Sequence, residues 1–222
     1  MRRPASRQTA VGDATVVPIS ASFERFAGFS GIIVGVSSLL YAVFFLLVTG
    51  SLHDYLPSLF LALGGLLATA VLTALYLRVR AAEPTFAAWA FGLGFIGQVG
   101  TAIHGFYGLA SVISHAPDAG GGVGTTAPNP VDPAGFLAFG LTGLSTLVFA
   151  WLIVRGGRLP RGLGYLSYAL GVLLIALFLG ALLTNTPKSL FVLVAGGLAS
   201  LLATPIWNFW LAAIFLGRRA NS

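Results

Sequence analysis

The sequence predicts an all-α fold, a polytopic transmembrane bundle of six helices with both termini on the cytoplasmic side. Composition is the first reason. Hydrophobic residues make up 57% of the 222 positions and charged residues only 8%, whereas a soluble domain carries about 25% charged residues, mostly on its surface. So few charges cannot cover a surface that faces water, and disordered chains need low hydrophobicity with high charge. A soluble globular domain and a disordered chain are therefore excluded.

Six stretches without charged residues are the second reason. A helix needs about 20 apolar residues to cross the hydrocarbon core of a bilayer. The stretches are residues 26–49, 55–77, 84–113, 133–154, 162–184 and 189–217. What remains is too short for a second folded domain, so residues 26–217 form one transmembrane domain. Residues 1–25 and 218–222 are predicted to be cytoplasmic tails, the first of them disordered, and the Gly- and Pro-rich segment 114–132 a flexible outer loop.

The distribution of positive charge sets the predicted orientation. When the segments between the spans are assigned alternately to the two sides, 11 of the 12 Lys and Arg residues lie on the side of the termini, and only Lys188 lies on the other. Cytoplasmic loops are enriched in Lys and Arg, so both termini are predicted to be cytoplasmic. Orientation also accounts for the net charge of +6. No basic face interleaved with aromatic residues is found, so nucleic acid is not a predicted partner.

The third span separates its residues into two faces. Small and polar residues occupy one helical face and bulky apolar residues the other. The small and polar face holds Gly94, Gly97, Gln98, Gly100, Thr101, His104, Gly105, Gly108 and Ser111; the opposite face holds Phe95, Ile96, Val99, Ala102, Ile103, Phe106, Tyr107, Leu109 and Ala110. Membrane helices associate through small residues and hydrogen bonds, so the first face should point into the bundle.

The sixth span shows a similar pattern, with Gly196, Ser200, Thr204 and Asn208 following one another at intervals of four residues. We therefore expect the third and sixth helices to be packed inside the bundle, with the first close by. Pro205 lies within the sixth span, where it should kink the helix and leave a carbonyl without its usual donor about one turn earlier.

Few residues in the predicted spans carry chemistry. None of the spans contains Asp, Glu, Lys or Arg, the chain has no cysteine, and no catalytic motif is found. Because proton and ion pathways usually contain ionisable residues within the membrane, a proton-coupled carrier is disfavoured, and we predict that the protein is not an enzyme.

His104 is the ionisable side chain that stands out within the spans, and several interpretations of it remain open. It can belong to a polar cavity inside the bundle, formed with Gln98, Thr101 and Asn208. It can also bind a haem or chlorin axially, with Gly105 and Gly108 leaving room for a flat ring. A metal site formed by His104 with outer His and Asp residues is a weaker interpretation, because His and Asp residues in loops are usually solvated. We predict no metal site, and a bound cofactor is not required.

Three segments carry a resemblance to a known family. They are FERFAGFSGI at Phe23–Ile32, WLIVRGGRLPRGLGYLSYALGVLL at Trp151–Leu174 and TPIWNFWLAAIFLGRR at Thr204–Arg219. Their order, their spacing and the six-helix length resemble the bacterial domain-of-unknown-function 4386 family of small integral membrane proteins. The resemblance implies a protein of the prokaryotic plasma membrane, that is, the inner membrane. It implies no activity and no functional residues.

The sequence therefore leaves three functions open. The first is a non-enzymatic accessory, regulatory or scaffold subunit, whose partners would be membrane lipids, another membrane protein or further copies of itself. The second is a carrier that binds a small molecule or lipid in a polar cavity between the helices. The third is a haem or chlorin binder that uses His104. The sequence ranks the accessory role first because it contains no site motif.

Overall fold

The computed structural model describes residues 19–48, 51–114, 130–184 and 189–217, and in them the chain forms the predicted bundle of six helices. The helices are α1 (Ala21–Leu47), α2 (Ser51–Val79), α3 (Pro84–Ser114), α4 (Pro133–Gly156), α5 (Arg161–Thr184) and α6 (Leu190–Leu216). Each is long and apolar enough to cross a membrane. We call the end of the bundle at which α1 begins and α6 finishes the basic end, and the opposite end the loop end.

The predicted spans agree with the observed helices to within a few residues, with one correction at the first helix. Residues 21–25 were assigned to a disordered tail, but α1 already begins at Ala21. Ser20 caps it, because its Oγ accepts a hydrogen bond from the Phe23 N–H at 3.3 Å. The charged residues Glu24 and Arg25 lie in the first turns of the helix, so the helix begins before the stretch without charge does. Residues 1–18, 115–129 and 218–222, which cover most of the predicted tails and loop, lie outside the described part of the chain.

The helices form a closed ring in chain order. Each helix packs against its neighbours in the sequence, and α6 returns to pack against α1. Polar contacts join several of these pairs. Ser38 on α1 donates a hydrogen bond to the Ser200 carbonyl on α6 at 3.0 Å, and Ser145 on α4 donates to the Ala90 carbonyl on α3 at 2.7 Å. Trp207 Nε1 on α6 donates to Ser167 Oγ on α5 at 2.7 Å. Such bonds help to hold helices together where lipid removes the hydrophobic driving force.

Two of the three remaining neighbouring pairs, α2 with α3 and α4 with α5, approach closely through glycines. On α2, a Cβ atom at Gly65 would lie 2.6 Å from the Ala102 nitrogen of α3. On α4, a Cβ at Gly143 would lie 3.1 Å from the Gly171 carbonyl of α5, and a Cβ at Gly171 would lie 3.1 Å from the Gly143 carbonyl. The backbones of these pairs therefore touch, which is the packing that small residues permit in membranes.

The two faces of α3 point in the predicted directions, with one exception. The glycines of the small face at positions 94, 97, 100, 105 and 108 are buried, as is His104, whereas Phe95, Ile96, Ile103 and Phe106 are exposed. The exception is Ala102. It was placed on the bulky face but is buried, because it lies against the backbone of α2 at Gly65. Exposed apolar side chains over the outside of a ring suit a lipid surround.

The expectation that α3 and α6 are the inner helices is wrong. In the most apolar window of α2 and of α4, 50% of residues are buried, against 33% in α3 and 28% in α6. In a ring of six helices no helix lies at the centre, so the burial of each helix depends on how many other helices pack against it. Here α2 also contacts α4 across the ring, so those two helices bury the most.

Two helices depart from regular α-helical hydrogen bonding where proline or glycine occurs. In α6, residues Leu198–Ala203 form a π-helical segment directly before Pro205, and the Thr204 N–H donates to the Ala199 carbonyl five residues back. Pro205 has no N–H to donate, so the regular ladder is one donor short next to this segment, while the predicted kink stays a prediction. In α4, a 3-10 turn at Pro133–Gly135 leads into a π-helical segment at Phe136–Leu141.

Candidate functional site

A cavity of about 150 Å³ lies at the middle of the ring. All six helices line it, each with residues from the middle part of its length, so the cavity lies deep within the apolar zone of the bundle. Its walls comprise Val34, Ser37, Ser38, Tyr41, Phe60, Leu61, Gly64, Gly65, Ala68, Val71, Leu72, Gly94, Gln98, Thr101, Ala138, Phe139, Thr142, Ser145, Thr146, Phe149, Leu170, Leu174, Leu177, Ala199, Ser200, Thr204, Trp207 and Asn208.

The lining is mostly apolar, and its polar groups are uncharged. None of the described residues around the cavity is Asp, Glu, Lys, Arg or His. The polar groups are hydroxyls, two side-chain amides and the rings of Tyr41 and Trp207, and they lie beside the aromatic rings of Phe60, Phe139 and Phe149. Sites for small molecules typically combine apolar walls with a few hydrogen-bonding groups. This arrangement suits an uncharged molecule, since a charged one would enter with no counter-ion to meet it.

Most hydroxyls of the lining use their protons within the protein. Thr101 Oγ1 donates to the Gly97 carbonyl at 2.9 Å, and Thr146 Oγ1 donates to the Thr142 carbonyl at 2.7 Å. Ser38 and Ser145 donate to carbonyls of neighbouring helices, as described above. A hydroxyl that donates its one proton still has oxygen lone pairs that can accept. Seen from the cavity, these groups are therefore hydrogen-bond acceptors.

Asn208 is the most unusual polar residue in the lining. Its side chain is only 3% exposed, and its Nδ2 donates to the Thr204 carbonyl at 2.9 Å. Its Oδ1 is buried and accepts no hydrogen bond from the described residues. Buried polar atoms are nearly always paired, so an unpaired one in a cavity wall is a feature that a bound molecule can satisfy. Pro205 lies three residues earlier, next to the π-helical segment.

The structure brings together three of the four residues that were predicted to form a polar cavity. Gln98, Thr101 and Asn208 all line it, but His104 does not. The helical spacing on α3 placed His104 on the correct face, and that residue is indeed buried. Its position nearer the loop end takes it away from the cavity. The contributions of α1, α4 and α5, in particular Tyr41 and Thr146, were not predicted, because a few hydroxyls in an apolar helix do not show whether they face a cavity or bond to a backbone carbonyl.

His104 instead pairs with Asp132. Its Nδ1 lies 3.2 Å from Asp132 Oδ2, and both residues are buried, Asp132 completely. Asp132 also accepts the Leu137 N–H on Oδ1 at 2.7 Å and the Ala138 N–H on Oδ2 at 3.3 Å. The carboxylate therefore caps the irregular start of α4 and attaches it to α3. Asp132 was assigned to a flexible outer loop, and that assignment is wrong for this residue because these donors hold it inside the bundle.

This geometry gives no support to a haem or chlorin at His104. The room expected at Gly105 is occupied, since a Cβ there would lie 2.7 Å from the Ser58 carbonyl of α2. The geometry gives no support to a metal site either. Among the described residues, no group of three or more His, Cys, Asp or Glu residues could hold an ion. The side chains of the outer residues His53, Asp54, His115 and Asp118 fall outside the described set.

A buried ion pair at the basic end was missed. Arg78 on α2 contacts Glu24 on α1 through Nε, at 2.7 Å from Oε1, and through its second guanidinium nitrogen Nη2. The two side chains are 8% and 15% exposed. The Arg78 guanidinium also lies 5.7 Å from the centre of the Phe215 ring on α6. The pairing could have been predicted, because antiparallel packing of the first two spans brings the start of one beside the end of the other.

Comparison of the chain with protein-family models, with curated proteins and with solved structures finds no match. The resemblance to the domain-of-unknown-function 4386 family therefore stays a prediction. The features described above rest on the sequence and geometry of this chain alone. Together they make it a multi-pass membrane protein with six transmembrane helices around a mostly apolar cavity that contains uncharged polar groups.

Proposed function

We propose that this membrane protein binds a small uncharged molecule in the cavity between its six helices. The observation that carries the proposal is the cavity itself: about 150 Å³, lined by every helix, mostly apolar, and with polar groups that carry no charge. Packing in protein interiors leaves few voids larger than a water molecule. A void of this size with hydrogen-bonding walls therefore favours a binding role over the accessory role that the sequence ranked first.

The size of the cavity limits the ligand. An engineered protein cavity of about 150 Å³ accommodates benzene, so the molecule, or the part of it that enters, is about the size of one six-membered ring. A whole lipid does not fit, although one ring or short head of a larger amphiphile does. The aromatic side chains Phe60, Phe139 and Phe149 provide flat apolar contacts for such a ring.

We further propose that the protein lies in the prokaryotic plasma membrane with both termini in the cytoplasm. The concentration of 11 of the 12 Lys and Arg residues on the side of the termini supports this orientation. The resemblance to a bacterial membrane family supports the choice of membrane. A role as an accessory or scaffold subunit stays a prediction, since the exposed apolar face of α3 suits lipid as well as it suits a partner helix.

The proposal is tested by filling the cavity. The probe is 4-fluorophenol, added to the full-length protein in lipid nanodiscs and followed by fluorine NMR. Ala199→Leu extends a side chain from a cavity wall, and Ala203→Leu is its matched control, because Ala203 is on the same segment of α6 and is also buried but does not line the cavity. Unfolding of both variants is measured alongside, since added volume in packed regions costs about 1–3 kcal/mol.

We expect a bound fluorine resonance in the wild type that disappears in Ala199→Leu and persists in Ala203→Leu. If the wild type shows no bound resonance at any probe concentration below saturation of the bilayer, the proposal is refuted. It is also refuted if both variants retain the resonance, because the probe would then be bound elsewhere.

A further inference from the structure

Several polar groups of the cavity wall are available to a ligand only as hydrogen-bond acceptors. Thr101, Thr146, Ser38 and Ser145 each donate their hydroxyl proton to a backbone carbonyl, at 2.7 to 3.0 Å. Each hydroxyl oxygen then has only acceptor capacity to offer. The indole N–H of Trp207 is likewise engaged, with Ser167 Oγ.

Asn208 adds an acceptor that is buried and unpaired. Its amide N–H₂ group is directed to the Thr204 carbonyl, which fixes the orientation of the amide, while Oδ1 has no donor among the described residues. A buried acceptor left without a donor is energetically unfavourable, so a ligand that supplies an O–H or N–H group at this position gains more than an ordinary hydrogen bond.

Other lining residues can donate to such a ligand as well as accept from it. They are Gln98, Tyr41, Ser37, Ser200 and Thr204, whose amide or hydroxyl groups have both capacities. Gln98 comes from α3 and Tyr41 from α1, whereas Asn208 comes from α6. A ligand that binds Asn208 can therefore still use an acceptor of its own elsewhere in the cavity.

We infer that the ligand is an uncharged hydrogen-bond donor, such as a small phenol, alcohol or amide, whose O–H or N–H binds Asn208 Oδ1. The inference rests on the proposed function, since it names the class of molecule that the cavity takes. Molecules of the same shape that only accept hydrogen bonds, such as methyl ethers, are the class that the cavity discriminates against.

The test compares 4-fluorophenol with 4-fluoroanisole, two fluorinated rings that differ by methylation of the one hydroxyl. Their affinities for the full-length protein in nanodiscs are measured by fluorine NMR and expressed per mole of probe dissolved in the bilayer, which removes differences in partitioning. We expect the wild type to prefer the phenol by at least about fivefold, since leaving the buried acceptor unpaired carries a cost of that order.

Two variants attribute the preference to Asn208. Asn208→Leu has nearly the same shape without the acceptor and should reduce the preference to below about twofold. Ser30→Ala is the matched control: the Ser30 hydroxyl is also buried and unpaired among the described residues but does not line the cavity. It should leave the preference unchanged.

The outcomes separate this inference from the proposed function. If both probes bind the wild type equally, the cavity binds rings but the donor inference is wrong. If the phenol is preferred equally in wild type and Asn208→Leu, the acceptor is another group and the assignment to Asn208 is overturned. If neither probe binds, the proposed function fails and the inference fails with it. The wild-type comparison needs no variant, so a failure of Asn208→Leu to fold does not prevent the test.

Discussion

The ion pair between Glu24 and Arg78 predicts a large and strongly non-additive effect on stability. At 2.7 Å and with an effective dielectric constant of about 20, the attraction between two unit charges is about 6 kcal/mol before the cost of removing both from water. The side chains are 8% and 15% exposed, so a partner left alone is poorly solvated. We therefore expect Glu24→Gln to lower the free energy of unfolding by about 3 kcal/mol, the lower end of the range for breaking a buried pair.

Arg78→Met should cost slightly more than Glu24→Gln. It removes the same pair and also the contact of the guanidinium with the Phe215 ring at 5.7 Å, which is worth about 0.5–1 kcal/mol. The double variant leaves no charge unpaired. We expect it to cost at most about 1 kcal/mol more than either single variant, which corresponds to a coupling of about 2 kcal/mol between the two residues.

The assay is reversible unfolding in mixed micelles with increasing detergent denaturant, followed by circular dichroism for the wild type, both single variants and the double variant. Arg158→Met is the matched control, because Arg158 lies near the same end of the bundle but is exposed, and it should change stability by less than about 0.5 kcal/mol. If the effects of Glu24→Gln and Arg78→Met add to within about 0.5 kcal/mol, the pair does not hold α1 to α2 and the reasoning is wrong.

Two further predictions use the same unfolding assay. Gly105→Ala should lower the free energy of unfolding by about 1–3 kcal/mol, because its Cβ would lie 2.7 Å from the Ser58 carbonyl of α2. Gly92→Ala on the same helix is the control and should change stability little, because no atom lies within 4 Å of the new Cβ. Equal costs for the two variants would contradict the close approach of α2 and α3. Asp132→Ala should cost about 3 kcal/mol, because it removes the cap of α4 and the partner of His104. Asp132→Asn, which keeps one acceptor oxygen, should recover part of that loss, and an Asp132→Ala protein as stable as the wild type would exclude the capping role.

Much of the candidate site could be predicted on α3 and α6 and little of it elsewhere. On α3 the small and polar residues gather on one face, so Gln98 and Thr101 were placed correctly, and the four-residue spacing on α6 led to Asn208. Tyr41 on α1 and Thr146 on α4 belong to short groups of hydroxyl residues, with Ser37 and Ser38 on α1 and with Thr142 and Ser145 on α4. Whether such a residue faces lipid, a neighbouring helix or a cavity depends on the rotation of its helix within the ring, which no local pattern records.

His104 illustrates the same limit. Its burial followed from its helical face, but its partner did not, since Asp132 is separated from it by 28 positions in the chain and by a segment with the composition of a flexible loop. The local signal at Asp132 was Pro133, which indicated a helix start. The capping of that helix by the carboxylate becomes visible only when the Leu137 and Ala138 N–H groups are seen to converge on it.

The sequence by itself determined that this protein has six transmembrane helices, roughly where each begins and ends, and which face of α3 is buried. Those properties follow from the thickness of the bilayer, from the cost of placing charge within it and from the period of a helix, all of which act on neighbouring residues. The ring order of the helices and the cavity at Asn208 were decided by the tertiary structure. They depend on contacts between helices, and the lipid is as apolar as the side chains it faces, so hydrophobicity alone does not distinguish one arrangement from another.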